Sequence, residues 1–291
     1  EDNLYDIVDS IIMIYCKEEI QIKRLENGDL GKESIMKRIK MQLTNEQKID
    51  KIKQLNEKYD EKADSIPVLP DQIKVEEIKE FVKSLDKLPV GIYKDSLNLA
   101  IYNFKSNLVN LISAKNIEVA TEYVTHLYEE LKLLEDIDVT VFDAEGIVQT
   151  ASKNIKLDYQ NYSLRIQNNI SKSKYNVCII VGIDKFLINI EKEILSDLRK
   201  AEELKNYTFI VVDSVFKLKN HEYDDWYKAY ITKDSGIWVG NGVADQYLIR
   251  MNTSARNLVN NCGESFGYLI KQEEAKLIKL IGMKDTGEKN G

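Results

Sequence analysis

Apolar residues change their spacing once along the chain. Up to about position 62 they recur at helical intervals among charged residues; beyond about position 88 they gather into short, nearly continuous runs. In the first region Leu4, Ile7, Val8, Ile11, Ile12, Ile14 and Tyr15 share one broad face, which predicts an amphipathic helix over 1–25. Asn27-Gly28 and Gly31 end it. A second, charged helix is expected over 32–43. Thr44 followed three residues later by Gln47 is a capping-box pattern, and it opens a third helix to about Lys62 with Ile49, Ile52 and Leu55 on one side. Residues 1–66 therefore read as a helical appendage, with a protein-docking arm as the alternative. Ser65-Ile-Pro-Val-Leu-Pro70 holds two of the chain's three prolines and predicts an extended boundary, because proline disfavours helical geometry in the residue before it.

After this boundary a short helix is expected at about Lys74–Leu85. Strands follow at Val90–Tyr93, Leu97–Phe104 and Leu108–Ile112, with a hairpin turn at Asp95-Ser96. Val119, Tyr123, Leu127 and Leu131 then repeat every fourth residue, which gives a helix over 117–134. The alternation continues with a strand at Asp138–Asp143, a helix at Tyr162–Ser171, a strand at Val177–Val181 and a helix at Glu191–Leu204. A strand at Thr208–Asp213, a helix around Tyr223–Tyr230, a strand at Gly236–Gly240 and a loop or short helix at Ala255–Val259 come next. Phe266–Lys271 and Ala275–Ile281 form a closing pair, and 282–291 reads as a polar tail. Continuous apolar runs such as Cys178-Ile-Ile-Val181 belong to strands buried on both faces. The pattern predicts an α/β domain over 67–281: a P-loop NTPase-like, mainly parallel sheet flanked by helices.

The organising stretch is Asn107–Glu130, a strand that turns sharply into a helix, the place where a P-loop protein cradles phosphate. The required Gly-x-x-x-x-Gly-Lys-Ser/Thr falls on the wrong residues. Ser113 and Glu118 stand at the two glycine positions, Val119 at the lysine and Ala120 at the Ser/Thr. No cation at that position remains to meet the β- and γ-phosphates, and a carboxylate at Glu118 would repel them. Lys115 and Asn116 stay in the loop, where they offer a weak contact to an anion at the helix N-terminus. A Walker B strand needs an acid directly after its apolar run. Here Gly182 and Ile183 follow, and the acid arrives two places late at Asp184, which also reads as a solvated loop residue or helix cap. Asp143 and Asp213 end strands at the carboxyl edge, either as ligand-facing acids or as strand-end caps. Gly240-Asn-Gly242 suits a tight turn. Trp226, Tyr227 and Trp238 are aromatic anchors that fit either a core or a protein-interaction surface.

Composition narrows the classes. The net charge of −7 argues against a nucleic-acid-tracking surface. No window approaches the ~20 apolar residues of a membrane span, and no signal peptide is visible. Cys16, Cys178 and Cys262 are too far apart for a metal site and read as plain thiols, and His126 and His221 stand alone. No catalytic triad, paired carboxylates or metal set emerges. No cofactor is expected, with ATP and Mg²⁺ weak at most. The chain begins at Glu1 without methionine, so a fragment of a longer protein is expected.

Several stretches together resemble the FtsK/SpoIIIE-type ATPase domains, above all the terminal ATPase-like domain of type VII secretion motors. They are Leu88-Pro-Val-Gly-Ile-Tyr93, Val177–Phe186, Gly236-Ile-Trp-Val-Gly-Asn-Gly-Val-Ala-Asp-Gln-Tyr247, Phe266-Gly-Tyr-Leu-Ile270 and Leu277-Ile-Lys-Leu280. The similarity covers about 67–281, and 1–66 matches in position the connector from a preceding ATPase domain. The terminal domains of that family often have degenerate nucleotide motifs. The resemblance implies a cytoplasmic module of a membrane-bound, ring-forming, typically hexameric motor. Such a module would recognise secreted WXG-type effectors and toxins, alongside neighbouring ATPase domains and other secretion subunits. It carries no catalytic residue over, since the matching positions hold the wrong residues.

Overall fold

The computed structural model describes residues 34, 37, 40–41, 44–58, 68–148 and 174–284. The helices expected over 1–25, 32–43 and Tyr162–Ser171 lie largely or wholly outside these residues. The chain divides into two compact units at the Pro67/Val68 junction. In the first, helix α1 spans Asn45–Lys58. Its capping box forms as the sequence dictates: the Gln47 N–H donates to Thr44 Oγ1 (3.2 Å) and the Thr44 N–H to Gln47 Oε1 (2.9 Å), which satisfies two donors left free at the helix start.

The second unit is one nine-stranded sheet with helices on both faces. In chain order it contains α2 (Val75–Ile78), β1 (Leu88–Tyr93), β2 (Leu99–Tyr102), β3 (Val109–Ala114), α3 (Ile117–Leu131), β4 (Ile137–Asp143) and β5 (Tyr175–Val181). It continues with α4 (Ile183–Leu204), β6 (Tyr207–Ser214), α5 (Val215–Asn220), α6 (Asp225–Tyr230), β7 (Gly236–Val239), β8 (Phe266–Lys271) and β9 (Glu274–Leu280). The spatial order is β2-β1-β9-β8-β7-β3-β6-β5-β4. The five strands β7, β3, β6, β5 and β4 are parallel; numbered from β3, they lie in the order 5-1-4-3-2. The remaining four strands pair antiparallel, so the sheet is parallel from β7 out to the edge strand β4 and carries an antiparallel wing on the other side of β7.

Strand periodicity splits the core in two. Ile112, Val177, Ile179, Val181, Ile210 and Val212 face α3, while Val109, Leu111, Cys178, Ile180, Phe209 and Val211 face α4–α6. Because both faces are covered, β3, β5 and β6 are mostly apolar, with nearly continuous runs at Val177–Val181 and Phe209–Val212.

Three elements differ from the sequence reading. Helix α4 starts at Ile183, not Glu191. Gly182, in the left-handed region (φ +75), turns the chain straight from β5 into the helix, and Ile183, Phe186, Leu187 and Ile190 extend its buried stripe. The single helix expected around Tyr223–Tyr230 is the second of a pair, α5 and α6. The helix expected at Lys74–Leu85 is only one turn, followed by 3₁₀ turns at Lys79–Phe81 and Leu85–Lys87.

Candidate functional site at the carboxyl edge of the sheet

The parallel strands end together at Ala114, Asp143, Val181, Ser214 and Val239. Ligands of open α/β sheets bind at this edge. The β3–α3 connection decides what the edge can hold. The chain is still extended at Ala114 and already helical at Ile117, so Lys115 and Asn116 are the whole connection. A phosphate cradle needs a longer, glycine-bearing run whose free N–H groups wrap the anion. Ser113, at the first glycine position, is fully buried in β3 and donates its hydroxyl to the Asp213 carbonyl (3.0 Å). Glu118 is exposed in the first turn of α3. Val119 lies over Gly240, 3.3 Å from where a Cβ there would stand, and Ala120 is buried under the helix. Lys115 is exposed, with its aliphatic stem running past Gly242 and Trp238. Asn116 sits at the N-cap but makes no side-chain capping bond. Gly240 and Gly242, both with positive φ, form the expected tight turn.

At the β5–α4 junction Gly182 and Ile183 offer no side-chain ligand. Asp184, in the first turn of α4, turns away from the strand ends: its Oδ1 lies 3.1 Å from His221 Nε2. His221 Nδ1 lies 2.6 Å from Asp224 Oδ2, which also accepts the Trp226 indole N–H (3.3 Å). Asp184 thus ties α4 to the α5–α6 elbow. This tie has no local signature, because an isolated histidine reveals nothing of a partner 37 residues away.

Asp143 is a strand-end cap. Its Oδ1 accepts the N–H groups of Glu145 (3.0 Å) and Gly146 (2.8 Å), and its Oδ2 that of Val148 (2.7 Å). Asp143→Ala is expected to cost about 2 kcal/mol in urea denaturation, since it strands three partly or fully buried donors; a loss below about 0.5 kcal/mol would contradict this role.

Glu145 has no motif around it that marks it in the sequence. It lies over Gly182, bonded by Lys217 (2.7 Å) and paired with Lys185 (3.5 Å). The Lys217 hydrogen bond, then the charges of Lys217 and Lys185, hold its carboxyl below the usual range, and the same bond raises the Lys217 ammonium. Asp213 is wholly buried beside them. Its carboxylate accepts the N–H of Ser214 (2.7 Å) and of Asp184 (3.3 Å), yet burial outweighs these bonds and pushes its pKa up to about 6.

The aromatic anchors require a correction. Trp226, Tyr227 and Trp238 are 3%, 1% and 1% exposed and form no surface. Trp226 and Tyr227 pack into the core under α4–α6, and Trp238, on an interior strand, donates its indole N–H to the Asn241 carbonyl (3.2 Å). Among the described residues no group of three or more His, Cys, Asp or Glu side chains is placed to hold a metal, and no helix is long and apolar enough to cross a membrane.

The parallel strand order, with helices on both faces and the sharp β3–α3 turn at its centre, defines a P-loop ATPase-like α/β domain. No protein-family model matches the chain, and no curated protein matches it in sequence. Solved structures do match in fold. One is the cytoplasmic domain of EssC: 14% identity, TM-score 0.56, covering 87% of this chain and 54% of that one. Another is EssC ATPases 2 and 3 from Geobacillus thermodenitrificans: 13% identity, TM-score 0.56, covering 87% and 51%. A third is Thermomonospora curvata EccC ATPases 2 and 3 in complex with a signal sequence peptide: 13% identity, TM-score 0.52, covering 75% and 44%. The chain spans about half the length of these structures. Its fold is that of the EssC-like FtsK/SpoIIIE ATPase domains.

Proposed function

We propose that this chain is a module of a type VII secretion motor that keeps the ATPase fold as a scaffold for binding and regulation and hydrolyses little or no ATP. The observation that carries this is the two-residue β3–α3 connection, with Glu118, Val119 and Ala120 where a cradle needs glycine, lysine and a hydroxyl. Side chains of the domain itself support the reading. Val119 covers Gly240, Glu145 covers Gly182, and Asp184 is engaged by His221. The partners proposed are secreted WXG-type effectors and toxins, neighbouring ATPase domains of the same chain and other subunits of the secretion machinery. The setting proposed is the cytoplasmic side of a membrane-anchored ring. That EccC ATPases 2 and 3 were solved with a signal sequence peptide supports a protein ligand over nucleic acid.

Calorimetric titration of the folded chain with Mg-ATP, and separately with ADP, tests this. The expected result is no saturating heat at micromolar ligand, because the missing lysine and glycines remove the charge-assisted phosphate contacts. Saturable binding together with phosphate release abolished by Lys115→Ala would establish a divergent, active ATPase instead.

A further inference from the structure

The connection from β7 to β8 leaves the carboxyl edge through Gly240-Asn241-Gly242. An asparagine followed by glycine can react with its own backbone. The glycine nitrogen loses its proton and attacks the asparagine side-chain carbonyl carbon. A C–N bond forms, and the side-chain amide leaves as ammonia. Water then opens the cyclic imide. Opening at the former side-chain carbonyl gives aspartate. Opening at the backbone carbonyl gives isoaspartate, in which the chain runs on through the side-chain carbons. Water enters and ammonia leaves, so no further reactant is needed. Glycine favours the attack because it has no Cβ to shield its nitrogen.

Asn241 is exposed, so water reaches it, but the groups that must react are held. The Gly242 N–H, whose nitrogen is the nucleophile, donates to the Asn260 carbonyl (2.8 Å). Asn241 Oδ1, on the carbon to be attacked, accepts the Gly263 N–H (2.8 Å). The Asn241 backbone carbonyl accepts the indole N–H of buried Trp238 (3.2 Å). Asn260 fastens the same loop from the other side: its Oδ1 accepts the Ala244 N–H (3.0 Å), and its Nδ2 donates to Asp245 (3.1 Å). Most of these bonds lie at the surface, where water competes for them and local opening costs less than unfolding the sheet. We propose that Asn241-Gly242 is a latent modification site, kept as the amide while this loop is closed and committed to aspartate or isoaspartate when the loop opens. Aspartate can still accept the Gly263 N–H and close the loop again. Isoaspartate adds one backbone carbon before Gly242, and the carbonyl that Trp238 holds becomes a free carboxylate. The Trp238 and Asn260 bonds then lose their register, so the modification records opening of the edge irreversibly. It also places a new carboxylate next to Gly242, which the aliphatic stem of Lys115 passes.

The test is peptide mapping by mass spectrometry of the intact chain incubated at mildly alkaline pH. The reference is the synthetic peptide Val-Gly-Asn-Gly-Val, in which nothing holds the pair. Asn241 is expected to convert at least about tenfold more slowly in the chain than in the peptide, because the loop must open first. Asn260→Ala removes the bonds to Ala244 and Asp245 and is expected to speed conversion by about tenfold. Asp143→Ala, which weakens the fold at the end of β4, on the far side of the parallel strands, should leave the rate within about twofold. Hydrogen exchange reads the same opening without the chemistry: the Gly242 and Gly263 amides of the parent should be protected, and Asn260→Ala should expose both. Asn241→Asp should unfold at the parent's urea midpoint, whereas the isoaspartate form, separated by chromatography, should lose protection at Gly242. Conversion in the chain as fast as in the peptide, a rate that Asn260→Ala leaves unchanged, or free exchange at Gly242 and Gly263 in the parent would overturn the proposal.

Discussion

Gly267→Ala is expected to destabilise the domain by about 3 kcal/mol or more, which is among the largest losses a single methyl can cause. Gly267 sits in β8 opposite Val239 of β7 and Ile278 of β9. A Cβ built there would overlap the Trp238 carbonyl oxygen and press on both Leu280 methyl groups, at 3.1 and 3.3 Å. A side chain can swing aside; a backbone carbonyl at the parallel–antiparallel seam cannot move without shifting the strand. Gly91 in β1 meets the same obstacle in the Lys279 carbonyl, next to the point where the β1–β2 register slips between Pro89 and Gly91. Irregular pairing and close backbone approach go together in strands. Gly91→Ala should therefore lose a comparable amount. Equilibrium urea unfolding with an unchanged m-value is the measurement, and a loss below about 1 kcal/mol in both variants would mean that the wing yields more easily than its packing implies.

These two glycines also mark where the sequence was and was not legible. The parallel strands were plain, because strands buried on both faces carry nearly continuous apolar runs, and β3, β5 and β6 do at Leu111-Ile112, Val177–Val181 and Phe209–Val212. The lack of glycine between Ser113 and Glu118 was equally plain. The joining of β9 to β1, which closes the wing onto the N-terminal hairpin, is a contact across nearly the whole domain with no local signature. The start of α4 was obscured by Asp184-Lys185, a charged pair that reads as loop until Ile183, Phe186, Leu187 and Ile190 are seen as one stripe. Burial of Trp226 and Tyr227 was not readable either. Helix α6 has only six residues, too few for periodicity to separate an inner face from an outer one. The cover over Gly182 depends on Glu145 meeting Lys217, 72 positions later.

Burial beside the ion cluster of Glu145, Lys185 and Lys217 has a measurable cost at Asp213. The stability of the chain is expected to fall by about 3 kcal/mol between pH ~4 and ~6 through this one group, from a folded-state pKa of about 6 against 3.8 unfolded, at 1.36 kcal/mol per unit. The direction follows from proton counting. Between the two values the folded state holds a proton that the unfolded state has released, so raising the pH favours unfolding. Below about 3.8 both states are protonated and the contribution is fully present; above about 6 both have ionised and it is lost. The Ser214 and Asp184 N–H groups and the Lys217 charge favour the carboxylate, but the complete burial of Asp213 outweighs them. Asp213→Asn separates this group from the other titrations. The amide cannot accept both N–H bonds, which gives a constant offset of about 1 kcal/mol in its disfavour; against that offset the variant should gain on the parent as pH rises from 4 to 6 and then hold level. If the difference between the two proteins is flat over that range, Asp213 ionises as freely in the fold as in the unfolded chain. The ion cluster of Glu145, Lys185 and Lys217 would then be compensating its charge in full.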